Sequence, residues 1–545
     1  MPGAAGTPPG VGRQTLDPLE RPTSLFRLRS AGPEQDLSAR IAAHLRLAEE
    51  PAEGSVSTLY DTFDWAVHGD GGLLEYDCGA QGCLLRWSRP GDAAAALIQT
   101  VPGPPGFAAD LPDGPVRERI LSVTGIRRLL PIVRVRRQGH LLRVLDDEDK
   151  TVVRLLLEAE LLEDPATGTS ASLGTFLRVF PVRGYDREHE RCLGQLASLP
   201  ELAQATDPGY LDALAAIGRR PGDYSSKLDY RLDPDERADA VTKTIMLGLL
   251  DTLERNIDGA GRNLDSEFLH DLRVAVRRTR SALSQIRGVF PDAVVAQYKE
   301  RFAWLQQVTG PVRDLDVYLL DFHDYQASLP APLRPHLAPM RDYVLARYDE
   351  EQARLALMLD SAELHSLLQD WRAFLTTPVP HLPEAPSARL PIRRVADARI
   401  WRMARRVRKE GRAITPESPA ADLHELRKSC KKLRYLMEFF QSLYPRDEIR
   451  ELIRLMKVLL DNLGGFQDLA VQAVHLCEMA DAMNEEGRAG TDTLLAIGAL
   501  VGDLLGRQQR ARDAFAQVFE QFISDAHQAS FSTLFAGRSG AAAER

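Results

Sequence analysis

The spacing of apolar residues divides the chain into two parts. Between about residues 23 and 202, short runs alternate apolar residues with arginine, as in Ile132–Arg136 and Phe176–Phe180. A period of two is typical of β-strands with one buried and one polar face. We therefore expect an antiparallel sheet curled around a basic interior, with one interposed helix near residues 117–130.

From about residue 228 the apolar positions recur at helical spacing instead. The predicted helices cover residues 234–258, 265–289, 293–308, 315–329, 337–375 and 394–412. A proline-rich stretch, residues 377–391, separates the region into halves of about 228–376 and 392–535. Residues 203–227 contain Gly, Pro and Ser clusters and are predicted to be a linker, while residues 1–22 and 536–545 are predicted to be disordered.

Two sequence signatures in the helical region each occur twice. The stretch from His270 to Arg280 returns as His424 to Arg434, 154 residues later. The stretch that begins at Gly310 returns at Gly464, again 154 residues later. Because chance matches would not share one separation, the chain contains a duplicated unit.

In each copy of the first signature, four cationic or protonatable side chains share an arc of roughly 80° on a helical wheel. These are His270, Arg273, Arg277 and Arg280 in the first copy, and His424, Arg427, Lys431 and Arg434 in the second. Ordinary solvated helix faces mix charges of both signs, whereas Glu438 is the main acidic exception here. The alternative interpretation is two core helices with solvated basic faces.

The pattern His-x-Leu-Arg-x-x-x-Arg/Lys-x-x-Arg, present at His270 and His424, closely resembles that of the CHAD (conserved histidine α-helical) domain. The resemblance extends over about residues 228–535. It implies an all-α domain of two pseudo-symmetric four-helix bundles with a basic channel that binds inorganic polyphosphate. The two histidines would then act as phosphate donors that respond to pH.

The predicted helix at residues 394–412 carries a further basic stripe. Arg394, Arg405, Arg408 and Arg412 fall within about 60° of one another on the wheel. We expect this helix to line the same channel as the His424 helix. The alternative is that its charge serves solubility alone.

Three aspartates follow the glycine of the second signature, namely Asp314, Asp316 and Asp468. One interpretation is that they cap a helix or complement the dipole at its N-terminus. The other is that they support the site by orienting the motif arginines, which would otherwise repel one another.

The stretch Leu59–Trp65, which contains Tyr-Asp-Thr, resembles a segment of the CYTH (triphosphate tunnel) family. This resemblance implies an antiparallel β-barrel or tunnel-like domain over residues 23–202. The family's catalytic Glu-x-Glu-x-Lys is missing, because the first predicted strand, Leu25–Arg29, has no carboxylate. Metal-dependent triphosphate hydrolysis needs such carboxylates. We therefore predict a catalytically degenerate domain without catalytic residues. The alternative metal ligands are Glu158 and Glu160, or Asp147 and Asp149, which have the same spacing.

Composition narrows the possible functions. A net charge of −9 argues against wholesale coating of nucleic acid, so a polyanion site must be a local patch. Tyr435 is the only aromatic residue on either His-led arc, and nucleic-acid binders need more stacking residues. Five scattered cysteines suit a reducing cytoplasm better than a disulfide scaffold, and the N-terminus lacks a signal-peptide pattern.

Together these patterns predict an α+β, two-domain cytoplasmic protein. The resemblance to the CHAD domain implies that it binds inorganic polyphosphate, at polyphosphate granules. We expect no metal, no cofactor, no specific nucleic acid and no membrane as partners. The longest apolar run, near residues 494–505, is too short and too polar to span a bilayer. The alternative function is a metal-dependent triphosphatase that uses the CYTH-like domain. The oligomeric state does not follow from the sequence.

Overall fold

A computed structural model describes residues 23–29, 34–51, 54–79, 82–90, 92–205 and 210–536. Residues 1–22 and nearly all of the tail, which the sequence predicts to be disordered, lie outside these ranges. The chain separates into two compact units, Met1–Tyr224 and Ser225–Arg545. The first is built around a sheet and the second is helical, as the change of apolar spacing predicts.

The described part of the first unit contains one antiparallel sheet with several short helices. Its strands are β1 (Ser24–Leu28), β2 (Leu47–Pro51), β3 (Ser55–Asp61), β4 (Leu73–Gly79), β5 (Gly82–Arg89), β6 (Asp92–Val101), β7 (Leu130–Leu145), β8 (Thr151–Glu163), β9 (Ser170–Pro181) and β10 (Leu202–Ala205). Its helices are α1 (Glu34–Ala42), α2 (Ala66–Gly69), α3 (Pro115–Thr124), α4 (Asp186–Ala197) and α5 (Tyr210–Ala216).

The strand order is β10-β1-β9-β8-β7-β3-β4-β5-β6, and β2 also pairs with β7. A closed barrel requires the two end strands to pair with each other. In the described residues β10 pairs only with β1, and β6 pairs only with β5. The prediction of an antiparallel sheet is therefore confirmed, but the barrel is wrong, because the sheet is open.

The two faces of the long strands β7, β8 and β9 differ in polarity. One face packs against α1 and α4 through an apolar core that includes Phe26, Leu37, Ile41, Leu142, Leu155, Leu177, Cys192 and Leu196. The other face is charged, because directly paired residues share a face and Arg137 pairs with Glu160. The predicted basic interior is thus a sheet face on which carboxylates accompany arginines.

The predicted linker at residues 203–227 is largely structured. Leu202–Ala205 forms β10, which hydrogen-bonds to β1, and Tyr210–Ala216 forms α5. Ala213 and Leu214 of α5 pack into an apolar core beneath the sheet. The linker prediction was wrong here because glycine and proline clusters mark short loops between elements as well as domain boundaries.

Cys78 and Cys83 face each other in the register of β4 and β5 and form a disulfide. The scattered spacing of the five cysteines does not predict this pair. Only strand register, which follows from the hairpin, brings the two side chains together.

The second unit is helical over its described residues. Its helices are α6 (Ala238–Gly261), α7 (Ser266–Gln285), α8 (Asp292–Val308), α9 (Gly310–Leu320), α10 (Phe322–Ser328), α11 (Ala338–Leu359), α12 (Ala362–Thr376), α13 (Ile392–Arg412), α14 (Ala420–Phe440), α15 (Arg446–Glu485), α16 (Thr491–Phe522) and α17 (Asp525–Phe535). None of the helices in these residues is both long and apolar enough to cross a membrane.

The helix boundaries show the same duplication as the sequence. The first residues of α6, α7 and α8 are Ala238, Ser266 and Asp292, each 154 positions before the first residue of α13, α14 and α15. The copies then diverge, because α8 ends at Val308 and α9 begins at Gly310, whereas α15 continues without interruption. The second signature therefore lies after a break in one copy and within a helix in the other.

A shared apolar core joins the two halves of the helical unit. It combines residues of the first half with residues of α15 and α16, and includes Tyr318, Phe322, Tyr325, Met340, Tyr343, Leu476, Met483, Ile497, Leu500 and Leu504. Because one core spans both halves, the helices that carry the repeated signatures belong to a single folded body.

Candidate functional site

The two His-led helices, α7 and α14, are in direct contact. The Nε of Arg277 on α7 donates a hydrogen bond of 3.0 Å to the hydroxyl of Tyr435 on α14. One residue further along α7, Arg278 forms an ion pair of 3.4 Å with Glu438. The basic arcs that the sequence predicts on separate helices are therefore neighbours in the fold.

Arg277 and Lys431 occupy equivalent positions in the two copies, and they lie close to each other. Burial, together with the positive charges of Arg427 and Arg277, lowers the pKa of Lys431 to about 8. Arg434 acts in the same direction, while Asp468 opposes them. Equivalent residues can approach each other only where the two copies meet. The contact region of Arg277 and Lys431 is therefore the centre of the candidate site.

We call the eight residues of the two arcs the α7–α14 cluster: His270, Arg273, Arg277, Arg280, His424, Arg427, Lys431 and Arg434. Each of them is partly buried. Arginine and lysine stems can pack against apolar residues while their heads stay accessible. The cluster therefore combines cations held in place by the fold with exposure to a ligand.

The second repeated signature packs against the first in both halves. A Cβ placed on Gly310 would lie 3.7 Å from Nη1 of Arg273, and one on Gly464 would lie 3.6 Å from Nη2 of Arg427. The same pair of motif positions is thus in contact twice. Both signatures therefore belong to one structural unit that is present twice.

In the first copy, the motif arginines are held by uncharged groups. Nη1 of Arg273 donates to the carbonyl oxygen of Gln306 and to the hydroxyl of Thr309, both at 3.0 Å. Arg280 donates to the side-chain amide oxygen of Gln306. These bonds orient the guanidinium groups, while the nearby carboxylate of Asp314 raises the pKa of Arg273 against the effect of burial.

In the second copy, carboxylates hold the equivalent arginines. Nη2 of Arg427 lies 2.7 Å from a carboxylate oxygen of Asp468. Nε of Arg434 lies 3.4 Å from a carboxylate oxygen of Glu438, which also contacts Arg278. For Asp468, the geometry matches the interpretation that the aspartate orients a motif arginine.

None of the three aspartates caps a helix N-terminus in the described residues. Asp314 and Asp316 lie inside α9, and Asp468 lies in the middle of α15. Asp316 is buried 3.7 Å from Arg313, and burial raises its pKa to about 6 against the opposing effect of that arginine. The capping interpretation is therefore wrong, and Asp316 supports Arg313 rather than a residue of the cluster.

Three nitrogen atoms of the second arc are buried without a hydrogen-bond partner in the described part of the chain. They are Nε of Arg427, Nε of Arg434 and Nδ1 of His424. Buried polar atoms are normally hydrogen-bonded, so an exception needs an explanation. A bound anion would satisfy all three atoms.

The basic stripe of α13 faces a different surface. Arg405 and Arg408 line a pocket with Phe522 and Phe531, and Arg408 donates a 2.6 Å hydrogen bond to the side-chain oxygen of Gln528. Arg394 and Arg412, at the two ends of α13, are exposed. Arg405 and Arg408 therefore lie on the side of α13 that packs toward α16 and α17, and the expectation that this helix lines the same channel as the His424 helix stays a prediction.

In the first unit, arginines form ion pairs with the carboxylates that could have bound a metal. Arg178 contacts both Glu158, at 3.4 Å, and Glu160. Arg137 lies 3.0 Å from Glu160, whose side chain is almost fully buried. Burial raises the pKa of Glu158, and Arg178 and Arg137 oppose that rise. Over the described residues no group of three or more His, Cys, Asp or Glu could hold a metal ion.

The Tyr-Asp-Thr segment has a structural role in this unit. The buried carboxylate of Asp61 accepts hydrogen bonds from the backbone nitrogens of Thr62, Val67 and His68. It therefore holds α2 against the end of β3. The segment that carries the resemblance orders a turn and contributes no free carboxylate.

Sequence reasoning missed Gln306 and Thr309, which position two arginines of the first arc. A signal was present, because the equivalent positions in the second copy are Leu460 and Leu463. Two polar residues in place of two leucines, just before the repeated glycine, indicate a local change of role between the copies.

Comparison with known proteins gives one family. Residues 244–477, which include both His-led helices and both glycine signatures, match the CHAD domain. No match was found among curated proteins.

Several solved structures are similar to parts of the chain. A CHAD domain from the plant Ricinus communis is 23% identical, with a TM-score of 0.44, over 56% of this chain and 94% of its own. PptA from Streptomyces chartreusis is 16% identical, with a TM-score of 0.42, over 52% and 99%. A putative adenylyl cyclase from Hippeastrum, described as having a dominant triphosphatase activity, is 15% identical, with a TM-score of 0.24, over 37% and 98%.

The family match covers the part of the helical unit in which the repeated signatures pack against each other. Within the helical unit, residues 244–477 thus match the model of the CHAD domain family.

Proposed function

We propose that the helical unit binds inorganic polyphosphate through the α7–α14 cluster. Polyphosphate is a linear chain of regularly spaced negative charges with no bases to read. Guanidinium groups bind phosphate oxygens through strong, charge-assisted hydrogen bonds, often in pairs. A row of arginines from two helices therefore suits this polymer better than a ligand with a single charge.

The observation that carries the proposal is the meeting of the two arcs. Lys431 lies near Arg427, Arg434 and Arg277, so cations from both copies converge on one place. Like charges repel, and bringing them together costs free energy unless a counter-charge compensates. The carboxylates in contact with the cluster, Asp468 and Glu438, pair with only part of it. A polyanion would supply the remaining charge.

Nucleic acid fits the cluster less well. Tyr435 is buried and its hydroxyl accepts a hydrogen bond from Arg277, so its ring is not available for stacking on a base. Proteins that bind single strands without sequence preference rely on such stacking. We therefore propose a preference for polyphosphate over nucleic acid of equal charge.

We also propose that the first unit does not hydrolyse triphosphate. Glu158 and Glu160 are bound to Arg178 and Arg137, which leaves little carboxylate charge for a divalent cation. The test is phosphate release from tripolyphosphate with Mg²⁺ or Mn²⁺, for which we expect no significant turnover. Robust turnover would contradict this proposal, and its loss in a folded Glu158→Gln with Glu160→Gln variant would assign the metal to that pair.

The proposed binding is tested by competition at fixed salt. The full chain is loaded with labelled long-chain polyphosphate, and unlabelled polyphosphate or single-stranded DNA of equal total charge is added. We expect polyphosphate to displace the label at much lower concentration than DNA. Equal displacement by both polymers would contradict the proposed function.

A further inference from the structure

The longest apolar run of the sequence, near residues 494–505, lies in α16, and the fold buries only one side of it. Ala496, Ile497, Leu500 and Leu504 enter the apolar core that joins the two halves of the helical unit. Helices that are apolar on all sides are normally buried on all sides. The other side of α16 therefore lacks a partner in the described part of the chain.

The exposed side of the run is a stripe that we call the α16 face: Leu495, Gly498, Gly502 and Leu505. Leu495 is 60% exposed and Leu505 is 47% exposed. A Cβ placed on Gly498 or Gly502 would meet no other atom within 4 Å, so no described residue requires glycine there. Glycine destabilises a helix interior relative to alanine, but it lets another backbone approach closely. Two glycines between two exposed leucines thus form a shallow groove that fits a second helix.

The four positions have the spacing of a helix-pairing seam, and the pattern is the same when it is read from either end. Successive positions are three, four and three residues apart, as in a coiled coil. Leu495 and Leu505 lie five residues before and after Leu500, and Gly498 and Gly502 lie two residues before and after it. Two antiparallel copies of α16 centred on this position would place the leucines of each copy beside the glycines of the other. A twofold interface needs this self-complementarity, because both partners present the same residues.

The charges at the two ends of the α16 face complement each other in the same arrangement. Asp492 precedes the face and Arg510 follows it, and both are exposed. Their separation, 510 − 492 = 18 residues, is five helical turns, so both lie on the same side of the stripe. The guanidinium of Arg510 extends back toward the face, since a Cβ on Gly506 would lie 3.6 Å from its Nη1. Antiparallel pairing brings Asp492 of each copy to Arg510 of the other.

We propose that the α16 face is the interface of a homodimer, in which two copies of this chain pair antiparallel through α16. A second copy is the occupant because the leucine–glycine spacing and the end charges both match under one twofold rotation about position 500. A single helix pair buries a modest area, so we expect a dissociation constant on the order of micromolar. The dimer goes beyond the proposed function and does not depend on it, because no residue of the α7–α14 cluster takes part.

The test is the mass of the full chain in solution without polyphosphate, measured by sedimentation velocity at concentrations below and well above micromolar. We expect the wild type to change from monomer to dimer over this range. Leu495→Glu with Leu505→Glu brings like charges together across the twofold axis, and it should weaken dimerisation at least about 100-fold.

The matched control adds the same charge at exposed leucines elsewhere in the helical unit. It is Leu357→Glu with Leu382→Glu, at positions that are 74% and 85% exposed. We expect this control to dimerise within about threefold of wild type, because distant surface charges are screened by salt. Circular dichroism checks that both double variants fold.

A charge exchange tests the antiparallel arrangement separately, and it decides the matter if the leucine double variant does not fold. Asp492→Arg alone, or Arg510→Asp alone, places like charges at both ends of the pair and should weaken the dimer about fivefold. Asp492→Arg with Arg510→Asp restores the opposite charges, so its dimerisation should return to within about twofold of wild type.

A wild type that stays monomeric at every concentration would overturn the inference, and would leave the α16 face to another segment of the chain, another protein or a lipid surface. A dimer that the leucine double variant does not weaken, or that the control weakens equally, would overturn it as well. Single charge variants without effect, or an exchange that does not restore the dimer, would contradict the antiparallel pairing. A failure of polyphosphate binding would leave this inference standing, because the dimer is measured without that ligand.

Discussion

Lys431 is the side chain of the cluster whose charge depends most on its surroundings. Burial and the nearby charges of Arg427 and Arg277 lower its pKa to about 8, from an ordinary value of 10.5. Its ammonium group is therefore partly deprotonated at mildly alkaline pH, where an exposed lysine stays fully charged. A bound polyanion would favour the charged form and raise the pKa again.

We expect polyphosphate affinity to decrease as the pH rises above about 8. In that range the free protein must take up a proton on Lys431 when the polyanion binds, and each further pH unit costs up to about tenfold in affinity. Lys431→Arg should abolish this loss, because arginine stays charged. Titrations between pH 7 and 9.5 check this, with Lys428→Arg as the control that keeps the wild-type profile. A flat wild-type profile would contradict the assignment.

Glu160 has a comparable role in the first unit, but for stability. Its buried carboxylate bonds to Arg137 and Arg178, which come from the strands on either side. Removing one partner of a buried ion pair leaves the other charges uncompensated, which usually costs about 3–5 kcal/mol.

Glu160→Gln should therefore lower the free energy of unfolding of the first unit by about 3–5 kcal/mol. Glu163→Gln is the control, because Glu163 is more exposed and lies 3.3 Å from Arg134 at the end of the strand. Thermal unfolding of the full chain, followed by circular dichroism, measures both. If the two variants unfold at the same temperature, the ion-pair network does not stabilise the sheet.

For the secondary-structure elements, the periodicity of the sequence predicted which segments form strands. It did not predict whether the sheet closes into a barrel. Alternating apolar and arginine residues identified strands such as β8 and β9, because each strand has one buried face. Whether β6 and β10 pair to close a barrel depends on contacts far apart in sequence, which no local pattern records. The barrel prediction failed at that step.

The helices show the same limit. A helical wheel placed Arg273, Arg277 and Arg280 on one arc of α7, and it also placed Arg405 and Arg408 on one arc of α13. The helical wheel could not predict which other helix each arc packs against. The first arc meets α14, whereas the second faces α16 and α17. The repeat located the cluster because equivalent positions, such as 277 and 431, must be arranged alike.

For the whole molecule, the proposal predicts a steep dependence of binding on salt. A polyanion that contacts the six Arg and Lys residues of the cluster releases condensed counterions. For a single-stranded polyanion this corresponds to a loss of roughly 10²–10³ in affinity between 50 and 200 mM salt. Titrations with long-chain polyphosphate at several salt concentrations measure the slope. A slope near zero would mean that binding does not depend on this cluster.

The most direct test of the account is the affinity of three folded double variants for long-chain polyphosphate. Arg273→Ala with Arg277→Ala removes charge from the first arc, and Arg427→Ala with Lys431→Ala removes it from the second. Arg405→Ala with Arg408→Ala removes the same charge from α13, outside the cluster. Circular dichroism checks that each variant folds.

We predict that either cluster variant weakens binding at least 100-fold, since each charge-assisted hydrogen bond contributes about 1.5–3 kcal/mol. The affinity of the α13 variant should stay within about threefold of wild type, because removing these two arginines changes only the long-range electrostatic attraction of the polymer. Equal losses of affinity in all three variants would show that binding depends only on the net charge of the protein. Unchanged affinity in both cluster variants would contradict the claim that α7 and α14 form the polyphosphate site.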